Sequence, residues 1–263
     1  MAEIAHSFDD SAAYERFVGH WGRAAGAIFL DWLAPPKNAR WLDVGCGTGL
    51  FTELILNTQC PAAVVAIDQA KAQIDYARHK PIGQRADFRV GDAHALPFPD
   101  VTFDVVASAL VINFIPDRPR ALSEMRRVTR PGAIVAGYVW DFTPELSPSG
   151  PFRLGMRQIV ADVPTLPGTE DSRLGALRLL FEHAGLEEIA TRSIDVTVSF
   201  PDFEEFWLAQ TPSYSPTTKM IAAMTESDRM RLIASVQARL PVRPDGRIEY
   251  SARANAIRAR VPG

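Results

Sequence analysis

The sequence of 263 residues predicts an α/β fold with a doubly wound, mostly parallel sheet. Short apolar runs alternate with amphipathic segments at the spacing of βαβ units between residues 40 and 140. The near-continuous apolar run at residues 62–67 indicates a strand that is covered on both faces. A glycine-rich turn after the first strand predicts a ligand-binding loop at the carboxyl edge of the sheet.

The central elements follow from this alternation. Strands are predicted near residues 40–45, 63–67, 86–90, 103–107 and 133–139. Helices are predicted between them, near residues 50–57, 70–78 and 118–129. Asp117 is placed to cap the last of these helices, and parallel neighbours require right-handed crossovers.

The N-terminal residues 1–36 are predicted to form a helical cap. Large apolar residues recur at helical spacing over residues 11–33, and they are Phe17, Trp21, Ala25, Phe29 and Trp32. Gly19 and Gly22 could break this segment into two helices. Pro35 and Pro36 then predict an extended linker to the core at residues 37–140.

The C-terminal half departs from a minimal α/β domain. Residues 141–170 are rich in proline and predict a long loop around one helix near residues 151–162. A helix near residues 172–184 should end at Gly185, and a strand should run from Ile189 to Phe200. Residues 201–240 predict two helices, one capped by Asp202 and one by Thr225 with Asp228. A terminal strand is predicted from Ile248 to Val261.

These elements are expected to form a single domain over residues 1–263. The segments 141–170 and 201–246 are interpreted as insertions that form a lid or a substrate pocket. Their aromatic and methionine side chains could line an apolar pocket or pack the lid onto the sheet. These residues are Phe152, Met156, Phe203, Phe206, Trp207, Tyr214, Met220 and Met224.

The turn after the first strand reads Asp43-x-Gly45-x-Gly47-x-Gly49 and leads directly into a helix. Glycine tolerates positive φ and allows close approach to the backbone, and a helix N-terminus offers unpaired N–H groups. This combination predicts a cradle for a nucleotide-like ligand. The dinucleotide spacing G-x-G-x-x-G is not met, which disfavours an NAD-type oxidoreductase.

This motif resembles the first motif of the class I S-adenosylmethionine (SAM) dependent methyltransferases. Further segments follow in the order of that family: residues 62–68 end in Asp68, residues 88–98 contain Asp92, and residues 103–108 end in Ser108. Within the family, the chain looks most like small-molecule methyltransferases related to quinone-biosynthesis enzymes. The resemblance implies a Rossmann-like sheet with an antiparallel terminal strand and a helical lid insertion.

The resemblance also implies roles for individual residues. The loop of Gly45, Cys46, Gly47 and Gly49 would wrap the amino acid end of SAM, and Asp43 would help to hold its ammonium group. Asp68, with Gln69 beside it, would bind the ribose hydroxyls, and Asp92 and Ala93 would bind the adenine. Ser108 would lie beside the methionine part. Tyr14 and Trp21 could contact the cofactor, although core packing is the alternative for both.

The implied activity is methyl transfer from SAM to a small, apolar or aromatic molecule, leaving S-adenosylhomocysteine. An enzyme accelerates such an in-line displacement mainly by aligning the acceptor, the methyl group and the sulfur, and a general base is optional. Tyr138, Asp141 and Asn113 follow the fourth and fifth strands and are candidate catalytic residues, with structural roles as the alternative. The Asn/Asp-Pro-Pro-aromatic tetrapeptide of adenine and glutamine N-methyltransferases is absent, so O- or C-methylation is favoured. A SAM-binding protein without transferase activity remains the rival hypothesis.

Composition restricts the partners. The net charge of −3 argues against a dedicated nucleic-acid surface. The only cysteines, Cys46 and Cys60, lack metal-type spacing, so no metal is expected. Neither a secretory signal nor a membrane span is predicted, which indicates a cytoplasmic protein. The sequence leaves the oligomeric state open.

Overall fold

The computed structural model describes residues 11–160, 163, 165–212 and 215–263, and all statements below concern these residues. Its strands are β1 (Arg40–Val44), β2 (Ala63–Asp68), β3 (Asp87–Val90), β4 (Phe103–Ala109), β5 (Thr129–Trp140), β6 (Glu187–Phe200) and β7 (Ile248–Arg260). They form one seven-stranded sheet in the order β3-β2-β1-β4-β5-β7-β6.

The sheet is parallel from β3 to β5 and antiparallel at the other edge. β1 pairs with both β2 and β4 in parallel, so the chain winds outwards in two directions from the centre. β7 runs antiparallel to β5, with Ile134 opposite Arg260, and β6 completes the edge beside β7. The predicted doubly wound, mostly parallel sheet with an antiparallel terminal strand is confirmed.

The helices cover both faces of the sheet and its C-terminal edge. They are α1 (Ser11–Leu33), α2 (Leu50–Thr58), α3 (Lys71–His79), α4 (Arg118–Val128), α5 (Gly150–Met156), α6 (Leu174–His183), α7 (Phe203–Gln210), α8 (Pro216–Ala222) and α9 (Glu226–Gln237).

The three predicted N-terminal caps and the predicted glycine after α6 are confirmed. The side chains of Asp117, Asp202 and Thr225 accept hydrogen bonds from backbone N–H groups two or three residues into α4, α7 and α9. Gly185 follows α6 with a φ of +69°, as expected of a residue that ends a helix in the left-handed region.

Three details of the elements differ from the sequence-based expectation. α1 is one continuous helix across Gly19 and Gly22, because Trp21, Ala25 and Phe29 keep one face buried. Burying a large apolar side chain contributes about 1.5–3 kcal/mol, which exceeds the cost of about 1 kcal/mol for a helical glycine.

The other two differences lie in the insertions. α5 ends at Met156 instead of near residue 162, because the N–H groups of Gln158 and Ile159 bond back three residues instead of four. Residues 201–240 form three helices, α7, α8 and α9, where two were predicted. The additional helix α8 begins after its cap Ser215, whose side chain accepts from the Thr217 N–H.

The two insertions pack against each other through α5 and α9. A Cβ added at Gly155 would lie 2.5 Å from Val236 Cγ2, so the helices touch where the side chain is absent. The hydroxyl of Ser235 also donates to the Gly155 carbonyl at 3.1 Å. Phe152, Met156, Phe206 and Val236 belong to the same hydrophobic cluster as α1 and the sheet.

A buried polar group fastens the segment after β5 to the sheet. Asn255 of β7 donates from Nδ2 to Asp141 Oδ2 at 3.0 Å and to the Ser172 carbonyl at 2.9 Å. The other oxygen of Asp141 accepts from the Thr143 N–H at 3.0 Å. Asn255 therefore orders both the loop that follows β5 and the turn that precedes α6.

Replacing Asn255 with alanine should lower the free energy of unfolding by about 1–3 kcal/mol, because Asp141 would keep a buried oxygen without its donor. Urea unfolding of Asn255→Ala against the wild type measures this change. Thr197→Ala is the matched control: it removes an exposed hydrogen bond between β6 and β7, to Ser251, and should change stability by no more than about 0.5 kcal/mol. Equal losses in the two variants would contradict the proposed importance of Asn255.

Candidate functional site

A cavity of about 410 Å³ opens at the carboxyl ends of the parallel strands. One end, called here the glycine end, is lined by Gly45, Gly47, Asp68, Gln69, Asp92, Ala93 and His94. The other, the lid end, is lined by Trp140, Phe142, Ser147, Pro148, Ser149, Phe152, Arg153, Leu166, Gln210, Pro212, Ser215 and Thr217. Leu110, Val111, Phe114, Ile115 and Pro116 line the cavity between the two ends.

The glycine end is built on the turn between β1 and α2. Gly45 has a φ of +77°, and a Cβ at this position would lie 2.5 Å from Val111 Cγ1. Gly49 has a φ of +83° and is equally crowded by Ile82. Both positions thus require glycine for two reasons, the left-handed conformation and the close packing.

The carboxylate of Asp68 joins the loops that follow β1 and β2. Its Oδ2 accepts from the Gly47 N–H at 2.9 Å, and its Oδ1 accepts from the Ala70 N–H at 2.8 Å. Burial raises the pKa of Asp68, and these two N–H donors partly oppose the rise. The result is a fixed carboxylate on the wall of the cavity.

Asp43 is completely buried in β1, two residues before Gly45. Burial raises its pKa to about 7, against the effect of a 2.6 Å hydrogen bond that the Thr52 hydroxyl donates to Oδ2; the nearby charge of Asp68 adds to the rise. The other oxygen, Oδ1, has no hydrogen-bond partner among the described residues. Buried polar atoms are rarely left unpaired, so Oδ1 is suited to a donor supplied by a ligand or by water.

Asp92 is oriented by His94. Its Oδ1 accepts from the backbone N–H of His94 at 2.9 Å and lies 2.8 Å from His94 Nδ1. These contacts, with the backbone N–H as the largest cause, lower the pKa of Asp92. The sequence analysis did not identify this pairing, although an acid followed two residues later by histidine could have indicated such a turn.

The lid end combines three aromatic side chains with several polar ones. The rings of Phe142 and Phe114 lie 5.7 Å apart between their centroids. Gln210 is buried, and its Nε2 donates to the Pro148 carbonyl and to Tyr250 Oη, both at 3.3 Å. Its Oε1 has no partner among the described residues. Arg153 and Gln210 were not predicted as site residues, because they lie in insertions that carry no recognisable motif.

The three candidate catalytic residues do not line the cavity. Tyr138 packs between Phe29 and Phe51 at centroid distances of 4.8 and 5.9 Å, on the α1 side of the sheet. Both oxygens of Asp141 are engaged as described above. Asn113 is buried in the short 3₁₀ turn Ile112–Phe114, and its amide has no partner among the described residues.

The other predicted site residues fall into two groups. Gly45, Gly47, Asp68, Gln69, Asp92 and Ala93 line the cavity, and Asp43, Cys46, Gly49 and Ser108 are buried without lining it. Trp21 packs in the core against Trp140 and Tyr250, at 6.3 and 5.0 Å between ring centroids. The side chain of Tyr14 lies outside the described residues.

Of the aromatic and methionine residues that the sequence analysis named in the insertions, Phe152 lines the cavity. The others that the structure describes pack in or against the main hydrophobic cluster, namely Met156, Phe203, Phe206, Trp207, Met220 and Met224. Tyr214 lies outside the described residues.

The described part of the chain shows neither a metal-type cluster nor a membrane span. No three His, Cys, Asp or Glu side chains in it come together as metal ligands. None of its helices has the length and hydropathy needed to cross a bilayer.

Comparison with known proteins gives the family. A model described as "Methyltransferase domain" matches residues 42–137, the segment from β1 to β5. The malonyl-[acyl-carrier protein] O-methyltransferase of Erwinia pyrifoliae is 31% identical over 203 residues, which cover 76% of this chain and 71% of that protein. A demethylmenaquinone methyltransferase of Roseiflexus castenholzii is 38% identical over 103 residues, 39% of this chain and 43% of the relative. The chain spans about half the length, or less, of most curated relatives that it matches.

A solved structure supports the same fold. Phosphoethanolamine N-methyltransferase 2 of Haemonchus contortus, in complex with S-adenosyl-L-methionine, matches with a TM-score of 0.61 and 21% identity. The match covers 99% of this chain and 59% of that chain. The motifs, the sheet and the long match to the Erwinia protein lead to one conclusion: the chain belongs to the SAM-dependent methyltransferases.

Proposed function

We propose that this chain transfers the methyl group of SAM to a small acceptor with an apolar or aromatic body, with O- or C-methylation favoured over N-methylation. The observation that supports this proposal is a continuous cavity that joins the glycine end to a lid end with aromatic and polar side chains. A donor held at one end and an acceptor at the other would share this cavity. The relatives bear the names of enzymes for malonyl-[acyl-carrier protein] and for demethylmenaquinone.

The residues of the glycine end fit SAM. The backbone of Gly45 and Gly47, which lines the cavity, suits the aminoacyl end of SAM. Asp43 is buried behind this loop, and its unpartnered Oδ1 suits the ammonium group through a bridging water. Asp68, held by two backbone N–H groups, suits the vicinal hydroxyls of a ribose, with Gln69 beside it. Asp92 uses Oδ1 for His94, which leaves Oδ2 for the adenine amino group near Ala93. When bound, the sulfonium supplies an electrophilic methyl group and leaves as a neutral thioether.

The residues of this chain contribute mainly position and exclusion of water. Trp140, Phe142 and Phe152 would hold an acceptor body away from solvent, and alignment alone supplies about 7–11 kcal/mol of such a barrier. Among the described residues that line the cavity, the only histidine is His94, at the glycine end. Tyr138, Asp141 and Asn113 do not line the cavity, so we favour an acceptor that is already nucleophilic at neutral pH.

No candidate base lines the lid end among the residues that the structure describes, which also suits the rival hypothesis, a protein that binds SAM or S-adenosylhomocysteine without transferring a methyl group. Turnover separates the two hypotheses. The protein should form S-adenosylhomocysteine from SAM when a phenol, a quinol or a carboxylic acid is added, but not in the absence of an acceptor. Tight binding of SAM with no acceptor-dependent product across the panel would support the rival.

Replacing Asp68 with alanine should weaken SAM binding roughly 10- to 100-fold, because hydrogen bonds to a charged group contribute about 1.5–3 kcal/mol. Calorimetric titration of SAM into Asp68→Ala measures this loss. Asp75→Ala is the control, since Asp75 is a partly exposed acid on α3 that does not line the cavity. Wild-type affinity in Asp68→Ala would contradict the proposed ribose contact.

SAM affinity should also depend on the ionisation of Asp43. The pKa of this buried acid is about 7 without ligand, and a nearby ammonium group favours the ionised form. Binding then releases a proton, so affinity should fall as the pH is lowered from about 7.5 to 5.5, by at most about tenfold per pH unit.

Asp43→Asn tests the assignment of this pH dependence. The amide oxygen can still accept from Thr52, but the residue no longer titrates, so most of the slope should disappear. Titrations of both proteins at several pH values provide the comparison. The assignment fails if the slopes of wild type and Asp43→Asn are equal.

A further inference from the structure

His94 is held by three contacts at the glycine end of the cavity. Its backbone N–H donates to Asp92 Oδ1 at 2.9 Å, and its ring Nδ1 lies 2.8 Å from the same oxygen. Arg120 of α4 donates from Nε to the His94 carbonyl at 2.9 Å. The backbone and the ring of His94 are therefore both fixed in place.

The contact with Asp92 decides which nitrogen of the His94 ring can accept a hydrogen bond. An ionised carboxylate accepts hydrogen bonds and cannot donate one, so Nδ1 carries the hydrogen. In the neutral ring the other nitrogen, Nε2, then has a free lone pair. Nε2 is buried and has no hydrogen-bond partner among the residues that the structure describes, and His94 lines the cavity. Buried polar atoms are rarely left unpaired, so Nε2 is suited to a donor that a ligand supplies.

Two hydrogen-bond acceptors therefore belong to one part of the cavity wall. Asp92 uses Oδ1 for His94 and keeps Oδ2 for a ligand, and Nε2 of His94 is the second acceptor. Asp92, Ala93 and His94 are consecutive in the chain, and all three line the cavity. A ligand oxygen or ring nitrogen without a hydrogen would meet two lone pairs here and would be repelled. A primary amino group on an aromatic ring fits, because it offers two N–H bonds.

We infer that His94 determines specificity for the cofactor: Nε2 accepts one hydrogen of the adenine amino group of SAM, and Asp92 accepts the other. This inference rests on the proposed function, which places adenine beside Ala93.

Two acceptors impose a requirement that a single acceptor does not. With Asp92 alone, an adenine that carries one substituent on its amino group could turn the remaining hydrogen towards Oδ2. With His94 also in place, the substituent removes a hydrogen bond and leaves Nε2 buried and unpaired. The pair therefore selects an unsubstituted amino group.

The test compares three ligands by calorimetric titration. They are S-adenosylhomocysteine, its analogue with one methyl group on the adenine amino group (the methylamino analogue), and S-inosylhomocysteine, in which an oxygen replaces the amino group. The variants are His94→Phe, His94→Ala and His183→Phe. Phenylalanine keeps a ring of similar size without an acceptor, which separates the hydrogen bond from the bulk of the added methyl group. His183 is the matched control, because it is an exposed histidine at the end of α6 that does not line the cavity.

The wild type should bind S-adenosylhomocysteine at least about tenfold more tightly than the methylamino analogue, because the analogue leaves a buried acceptor unpaired. His94→Phe should bind these two ligands within about threefold of each other, mainly through weaker binding of S-adenosylhomocysteine. His183→Phe should keep the wild-type ratio. All these proteins should bind S-inosylhomocysteine more weakly than S-adenosylhomocysteine, because Asp92 still requires a hydrogen donor.

Several outcomes would overturn the inference. These are equal affinity of the wild type for S-adenosylhomocysteine and the methylamino analogue, a wild-type ratio in His94→Phe, or equal changes in His94→Phe and His183→Phe. If His94→Phe does not fold, His94→Ala decides. A ratio near one that comes from weaker binding of S-adenosylhomocysteine supports the inference, and an unchanged ratio or tighter binding of the analogue contradicts it. Failure of the wild type to bind S-adenosylhomocysteine would instead refute the proposed function itself.

Discussion

The carboxylate of Asp68 accepts one hydrogen bond from the loop after β1 and one from the loop after β2. These two bonds close the glycine turn against its neighbouring strand and leave a charged group on the cavity wall. The turn tolerates this arrangement because Gly45 and Gly49 adopt positive φ where any side chain would collide with Val111 or Ile82. The shape of the glycine end therefore depends on the carboxylate of Asp68 and on glycine at positions 45 and 49.

The lid end depends on a different constraint, which lies in the sheet. β7 is inserted between β5 and β6, so Asn255 stands beside the end of β5 and can bond both Asp141 and the Ser172 carbonyl. This contact directs the chain after β5 into the loop that carries Ser147, Pro148 and α5. Tyr250, also on β7, donates to the Pro148 carbonyl at 2.7 Å. The antiparallel strand thus positions the wall of the lid end as well as completing the sheet.

The sequence by itself determined the sheet, the glycine cradle and the helix caps, because each rests on local chemistry. Alternation of apolar runs sets the strands, positive φ demands glycine at positions 45 and 49, and Asp117, Asp202 and Thr225 cap the helices that directly follow them. The tertiary structure alone decided that α1 continues through Gly19 and Gly22, because that depends on what its buried face contacts. It also separated Tyr138, Asp141 and Asn113 from the cavity and brought Arg153 and Gln210 to it. Gln210 meets the first insertion through its hydrogen bond to the Pro148 carbonyl, 62 residues away in the chain, and no local pattern encodes such a contact.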